Sequence, residues 1–537
     1  MNLSVTSIDA KTLKSYLHDG EEIALLDARE EMTFDKRHIL MASCVPLGRI
    51  EAIVDALIPR RAARVVWCDD GDTVGGKGLA QRAAERMATL GYTNVAVLDG
   101  GIQAWDDAGY RIYSGVHVPS KAFAEVIEHA DETPHIDASE LKAMMDGDTD
   151  MVLFDSRSYE EYHVDSIPGA HSVPGAELVY RFAELVPSKD TTVVVNCGGR
   201  TRSIIGAQAL INASVPNKVV SLMNGTQGWH LAGYEVRKGA TSTLPDVTGD
   251  GLKTAKDFAA NVATRFAVQA IDKKTLDQWR QEEDKRALYV LDVRTREEYE
   301  SGHAPGVKHI PGGQLIQETD RHLGVWGARV VLVDDAGVRS VMTASWLKQM
   351  GWDASTITLD EIGGASEKGA YAPKTLGLDT ANADLIEPAA LKDMLDAGTA
   401  AVIDLDWSRA YYQGHIPGAH YIIRSRLADD IGNVPDADTL VITSPDGTLA
   451  QLAADEAAEH TNASVKVLKG GTNAWKAANL PIEEGPTNMA SKAEDLRLRA
   501  RELNVDKEEA MREYLAWEIE LVNQMATDED QRFTVKA

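Results

Sequence analysis

The chain has 537 residues, 44% of them apolar and 26% charged, which suits a globular protein of about three to five domains at ~100–200 residues each. Its formal net charge is −28 and its pI about 4.9; so acidic a surface repels nucleic acid and anionic membranes, so neither is an expected partner, and any anionic substrate needs a locally positive pocket. No run approaches the ~18 apolar residues of a membrane span, and Met1 to Leu17 carries Lys11 and Lys14 without an apolar core of signal-peptide length, so a cytoplasmic protein, mature as written, is expected.

Taken in chain order, one pattern occurs four times. An apolar strand ends in Asp and is followed by a polar turn, a helix and a Pro-Gly turn. It reads LLDAREEMTFDKRHILMA from Leu25, LFDSRSYEEYHVDSIPGA from Leu153, VLDVRTREEYESGHAPGV from Val290 and VIDLDWSRAYYQGHIPGA from Val402. The anchor aspartates Asp27, Asp155, Asp292 and Asp404 lie roughly 110–140 residues apart, the size of a small domain, so these are duplicated domains and not solenoid repeats. Each repeat continues with a second apolar strand (ARVVWC, TTVVVNC, ARVVLVD, TLVITS), a Gly-containing loop and a helix. Another short apolar segment then follows, and in repeats one, two and four a tryptophan, Trp105, Trp229 and Trp475, which reads as a core anchor.

Apolar strands alternating with helices predict an α/β fold: four tandem domains, each a parallel or mostly parallel sheet flanked by helices. The expected boundaries are 1–115, 131–240, 269–370 and 382–485. The stretch VPSKAFAEVIEHADETPH reads as the link between the first two domains. After GATSTLPDVTGDG, the segment KTAKDFAANVATRFAV reads as helical. The charged, periodic tail, 488–537, reads as one or two amphipathic helices packed on the body.

Three cysteines, Cys44, Cys68 and Cys197, form no CxxC pair, which speaks against a disulfide framework or structural zinc. No HxHxDH or HExxH spacing and no P-loop occur, so neither a metal nor another cofactor is expected. His303, His309, His415 and His420 sit in the repeated Pro-Gly turns and read as turn hydrogen-bonders.

The chemistry-bearing segment is VVVNCGGRTRSIIGAQAL, from Val193. A buried strand delivers Cys197 to its C-terminal end. Gly198, Gly199, Arg200, Thr201 and Arg202 form a tight loop, and Ser203 starts a helix with Ile204, Ile205, Ala207 and Leu210 as its apolar face. Glycines let consecutive N–H groups turn toward one atom, and the helix adds its positive end. Each arginine is worth ~4 kcal/mol to an anion at ~4 Å if the effective dielectric is ~20. The thiol is therefore expected to titrate well below its free value.

The units DSR, EEY, IPGA and CGGRTRS resemble the rhodanese (thiosulfate sulfurtransferase) superfamily, and the whole chain resembles bacterial proteins with four rhodanese-like domains. The likeness runs from residue 8 to about 485 and is strongest over VNCGGRTRSIIGAQALINASVPNKVVSL. It implies a sulfurtransferase in which Cys197 takes a sulfane sulfur from a small-molecule donor such as thiosulfate, becomes a persulfide, and passes the sulfur to cyanide or a thiol acceptor. Gly198 to Ser203 would surround the persulfide, Arg200 and Arg202 would bind the donor anion, and Asp155 and Arg157 would brace the loop. One departure is Asp165-Ser166 where the family has Gly-His. Phosphatase and arsenate reductase loops on the same fold place five residues between Cys and Arg; here there are four, a smaller enclosure that suits one sulfur atom better than a phosphate.

The other three loops differ. In repeat three DDAGVRS puts Asp334 at the Cys197 position, where no persulfide can form, and Asp334 is expected to pair with Arg339. In repeat four Ser444 takes that position without an arginine. In repeat one Cys68 is followed by Asp69, Asp70 and Asp72, which raise a thiol pKa and repel thiosulfate. Cys44 aligns with Ser172 and reads as a packing residue. An enzyme acting through Cys197 is the first expectation. A sulfur carrier or scaffold whose altered repeats bind partners is the second. The sequence implies no oligomeric state.

Overall fold

The computed structural model describes residues 5–71, 73–74, 77–498 and 506–535. Each repeat builds its own five-stranded, all-parallel sheet. In repeat two the strands are His135–Ile136, Met151–Asp155, His171–Ser172, Thr192–Asn196 and Val219–Leu222. Their spatial order is third, second, fourth, fifth, first. The other three sheets have the same order. The central strand, Thr192–Asn196, is buried on both faces along Val193, Val194 and Val195, as a continuous β-branched run should be in a parallel sheet covered by helices.

This order creates a switch point. From Met151–Asp155 the chain moves outward to one side, and from Thr192–Asn196 to the other. The carboxyl ends of these neighbouring strands, where Asn196 is in register with Asp155, therefore flank a crevice. Cys197 is the first residue beyond that end.

The predicted tryptophan anchors are buried, and each indole N–H donates to a carbonyl six residues on: Trp105 to Arg111, Trp229 to Glu235 and Trp475 to Pro481, at 3.0, 2.9 and 2.7 Å. His303 and His415 stack on Tyr299 and Tyr411 and hydrogen-bond through Nδ1 to those residues' carbonyls at 2.9 and 2.8 Å. They are turn hydrogen-bonders, as their place in the Pro-Gly turns suggests. The helical reading after the second repeat corresponds to the helix Gly249–Phe266.

The repeats assort into two compact units, the first with the fourth and the second with the third. The second unit also contains two helices that the repeat pattern does not supply, Val118–Ala130 and Lys507–Met525, which pack on each other. The first of these falls in the segment read from sequence only as a link. Among the described residues no helix is long and apolar enough to cross a membrane.

Candidate active site

Cys197 is 2% exposed. Its Sγ lies 3.5 Å from the hydroxyl of Ser203, which donates to the Arg200 carbonyl at 2.8 Å. The N–H groups of Gly199 and Ser203 also face the sulfur. Close packing holds the loop from behind: the Thr226 N–H donates to the Cys197 carbonyl at 2.8 Å, and a Cβ on Gly225, at φ +51°, would stand 2.2 Å from that carbonyl oxygen. Only glycine permits that approach. The following helix is Thr201–Asn212, so it begins two residues earlier than the sequence suggests and takes Arg202 into its first turn.

Asp155 and Arg157 form a buried pair. Arg157 Nε and a terminal nitrogen reach the Asp155 carboxylate at 2.9 and 2.7 Å. The guanidinium also donates to the Asp165 carboxylate at 3.0 Å and to its carbonyl at 2.6 Å. Arg294 makes the same backbone contact in repeat three, to the Gly302 carbonyl at 2.8 Å. The departure at Asp165 thus keeps the brace and adds an ion pair. The stem of Arg157 lies 3.7 Å from a Cβ placed on Gly198, which puts this brace directly against the Cys197 loop.

Two expectations for the loop are corrected. Arg200 does not face the sulfur. Its guanidinium turns outward to Glu125 at 2.7 and 2.8 Å and to Glu128. Both acids lie on the helix Val118–Ala130, and the segment had shown no chemical motif. Arg202 is the arginine whose charge acts on Cys197, and it too is paired, to Glu161 at 2.6 and 3.0 Å, with Gln314 of repeat three at 3.4 Å. The second correction concerns the thiol. Burial raises its pKa above the ordinary 9.0, and Arg202, the Ser203 hydroxyl and the N–H groups of Ser203 and Gly199 only partly oppose the rise. Removal from water penalises the thiolate more than one paired arginine favours it.

These geometries separate the two arginines experimentally. Arg202→Ala should move the pH midpoint of Cys197 alkylation by iodoacetamide further up. Arg200→Ala should leave that midpoint near the wild-type value and instead lower the unfolding temperature, because Glu125 is left buried without its partner, a loss of about 3 kcal/mol. A midpoint unmoved in Arg202→Ala would refute the electrostatic role of that residue.

Repeat three displays the same loop with its cradle filled. Asp334 is fully buried, and its carboxylate accepts from the N–H groups of Gly337, Val338, Arg339 and Ser340 at 2.7, 3.0, 2.9 and 3.4 Å and from the Ser340 hydroxyl at 2.9 Å. The expected side-chain pairing with Arg339 does not form. That guanidinium reaches Glu177 of repeat two at 3.0 Å, Asp335 at 2.7 Å and Glu298. The backbone ring and the Ser340 hydroxyl satisfy Asp334, and the Arg339 guanidinium is engaged by acids on its other side.

In repeat one Cys68 is also fully buried, and its thiol is raised well above the ordinary value by burial and by Asp27, Asp69 and Asp70, against Arg29. Asp69 accepts from the N–H groups of Gly71 and Ala80 at 2.8 and 2.7 Å. Arg29 is committed to Asp27 and Asp70. Asp72 lies outside the described residues. In repeat four the Ser444 hydroxyl accepts from the Ala450 N–H at 3.2 Å. Asp404 there has an aspartate, Asp406, where the other repeats have an arginine, and burial pushes its carboxyl up to about 7. Among the described residues of the four loops, only those around Cys197 combine a thiol with an arginine charge and no carboxylate among the groups facing the sulfur.

In all four repeats the central strand of a five-stranded parallel sheet runs into a loop and then a helix, and this chain belongs to the rhodanese-like domain family, which matches residues 9–108, 137–232, 273–361 and 387–478. Among solved structures it is similar to a thiosulfate sulfurtransferase from Pseudomonas aeruginosa, 43% identical with a TM-score of 0.94, covering 99% of this chain and 100% of that one. Among curated proteins it resembles an HTH-type transcriptional regulator of Mycobacterium tuberculosis, 29% identical over 30% of this chain and 81% of the relative. It also resembles YrkF of Bacillus subtilis, named for sulfur carriage, 34% identical over 16% of this chain and 44% of the relative.

Proposed function

We propose that this chain is a sulfurtransferase that moves a sulfane sulfur from thiosulfate or a related donor to cyanide or a thiol, through a persulfide on Cys197. The observation that carries this reading is the pair of equivalent loops. In repeat three a ring of backbone N–H groups holds the Asp334 carboxylate. In repeat two the equivalent loop has a thiol at that position, where the N–H groups of Gly199 and Ser203 face the sulfur as those of repeat three face the carboxylate.

The thiolate is the reacting form. It attacks the outer sulfur of thiosulfate, a new S–S bond forms, the old S–S bond breaks, and sulfite leaves with the electron pair. The terminal persulfide sulfur carries the negative charge, which the N–H groups of Gly199 and Ser203 and the Arg202 charge stabilise. Cyanide or an acceptor thiolate then attacks the terminal sulfur, and the Cys197 thiolate leaves. Asp155 and Arg157 position the loop. Repeat two, 131–240, is the catalytic domain, and repeats one, three and four are inactive ones.

The similarity to the Pseudomonas enzyme supports this reading. The carrier or scaffold alternative draws on the altered loops and on the likeness to YrkF. Steady-state assay of the full chain with thiosulfate and cyanide separates the two. Repeated turnover to thiocyanate is expected. Loading of one sulfur without turnover to cyanide or small thiols would favour a carrier.

A further inference from the structure

The helices Val118–Ala130 and Lys507–Met525 lie outside the four matched domains, yet both reach the Cys197 loop. The first does so through Glu125 and Glu128, which hold Arg200. The second does so through Glu518, which is 1% exposed. One Glu518 oxygen accepts from the hydroxyls of Thr201 at 3.3 Å and Tyr514 at 2.8 Å. The other, Oε2, is buried and has no hydrogen-bond partner among the described residues. It stands 3.1 Å from where a Cβ on Gly199 would lie, and Gly199 is a residue whose N–H faces the sulfur.

A buried carboxylate oxygen without a donor is costly, and its occurrence at a reactive loop points to a donor brought by a ligand. The cations near it are shared with other groups. Arg200 is held by Glu125 and Glu128, and Arg202 by Glu161. Lys121 lies over the rings of Tyr514 and Trp517 at 5.4 and 5.0 Å. On this side of the loop Glu125, Glu128 and Glu518 thus outnumber Arg200 and Lys121, while the N–H groups and the Arg202 charge around the sulfur itself favour an anion.

We infer that Glu518 is a specificity-determining residue of the Cys197 site: its unpartnered oxygen selects sulfur acceptors whose thiol is accompanied by a cationic or N–H donor group and disfavours anionic ones. The identity of the ligand as a sulfur acceptor rests on the sulfurtransferase reading; the charge preference does not. Two alkylating reagents that differ in charge test it directly on the full chain. In both reactions the Cys197 thiolate forms a C–S bond and iodide leaves with the electron pair. Glu518→Gln retains the size and the acceptor used by Thr201 and Tyr514 but removes the charge. The rate with iodoacetate divided by that with iodoacetamide, read on the Cys197 peptide, is expected to rise about fivefold in Glu518→Gln. It should stay at the wild-type value in Glu508→Gln, at the exposed start of the same helix. Any change in thiolate fraction cancels in the ratio, so a structural role alone would not move it.

A second arm discharges the thiosulfate-loaded protein with cysteamine, 2-mercaptoethanol and thioglycolate, which are cationic, neutral and anionic. Relative to Glu518→Gln, the wild-type protein should favour cysteamine and disfavour thioglycolate. An alkylation ratio unchanged by Glu518→Gln overturns the inference. Failure of thiosulfate to load Cys197 overturns the sulfurtransferase reading instead, and the alkylation ratio still decides the role of Glu518.

Discussion

Cys197→Ser is expected to abolish sulfur uptake from thiosulfate and to lower turnover to cyanide by at least ~10³-fold, since a serine hydroxyl supplies neither a thiolate nor a stable sulfur adduct. The fold should survive. Ser203 lies 3.5 Å from Sγ and can hydrogen-bond a hydroxyl there, and the loop is held by the Thr226 N–H and by Arg157, neither of which uses the sulfur. Mass spectrometry of the thiosulfate-treated protein should show ~32 Da added to the Cys197 peptide and nothing added in the variant. The competing thiol is Cys68, and the physical case against it is strong: it is fully buried, and Asp27, Asp69 and Asp70 disfavour its ionisation. A persulfide found on Cys68 would overturn the assignment.

Asp334→Ala is expected to destabilise the unit of repeats two and three by about 3 kcal/mol while leaving sulfur transfer at Cys197 largely intact. The variant strips a single acceptor from four backbone N–H groups and the Ser340 hydroxyl, and buried donors left unpaired each carry a penalty. The effect has a pH signature. Burial raises the Asp334 pKa above 3.8, ahead of the opposing effects of Arg339, Ser340 and Gly337. A carboxyl whose folded pKa is raised contributes its full stability below the unfolded value, about 3.8, and loses part of it as pH rises through the folded value. The gap between wild type and variant should therefore be wider at acid pH than at pH 8. Denaturant unfolding of the full chain, followed by Trp346 on the helix after this loop, measures the gap. Stability unchanged by the substitution would show that the loop's N–H groups are served by water. Loss of turnover without loss of stability would place repeat three in the active site.

The repeats, the strand that ends at Cys197 and the substitutions at Asp334 and Ser444 were all legible because each is local. A β-branched run followed by two glycines and a helix start specifies strand, turn and helix within a dozen residues, and duplication printed the pattern four times for comparison. The same locality explains what was misread. Arg200 and Arg202 lie three and five residues from the cysteine, but nearness along the chain is not nearness of charge. Arg200 points to Glu125 and Glu128, on a segment that carried no motif, and Arg339 crosses to Glu177 in the neighbouring repeat. The thiol's titration escapes the sequence for a related reason. The glycines, the arginines and the helix start could be counted, but the removal of water could not, and burial is the larger effect at Cys197.

By itself, then, the sequence determined the α/β repeat and which residue, Cys, Asp or Ser, ends the central strand of each repeat, because backbone turn chemistry and residue identity are set within short segments. Only the tertiary structure decided which acid each arginine serves, that burial shifts the Cys197 thiol upward, and that Glu518, more than 300 residues from Thr201 in the chain, stands against the Cys197 loop. Ion-pair partners and desolvation depend on which surfaces pack together across the whole unit, and neither leaves a periodicity or spacing in the chain to be read.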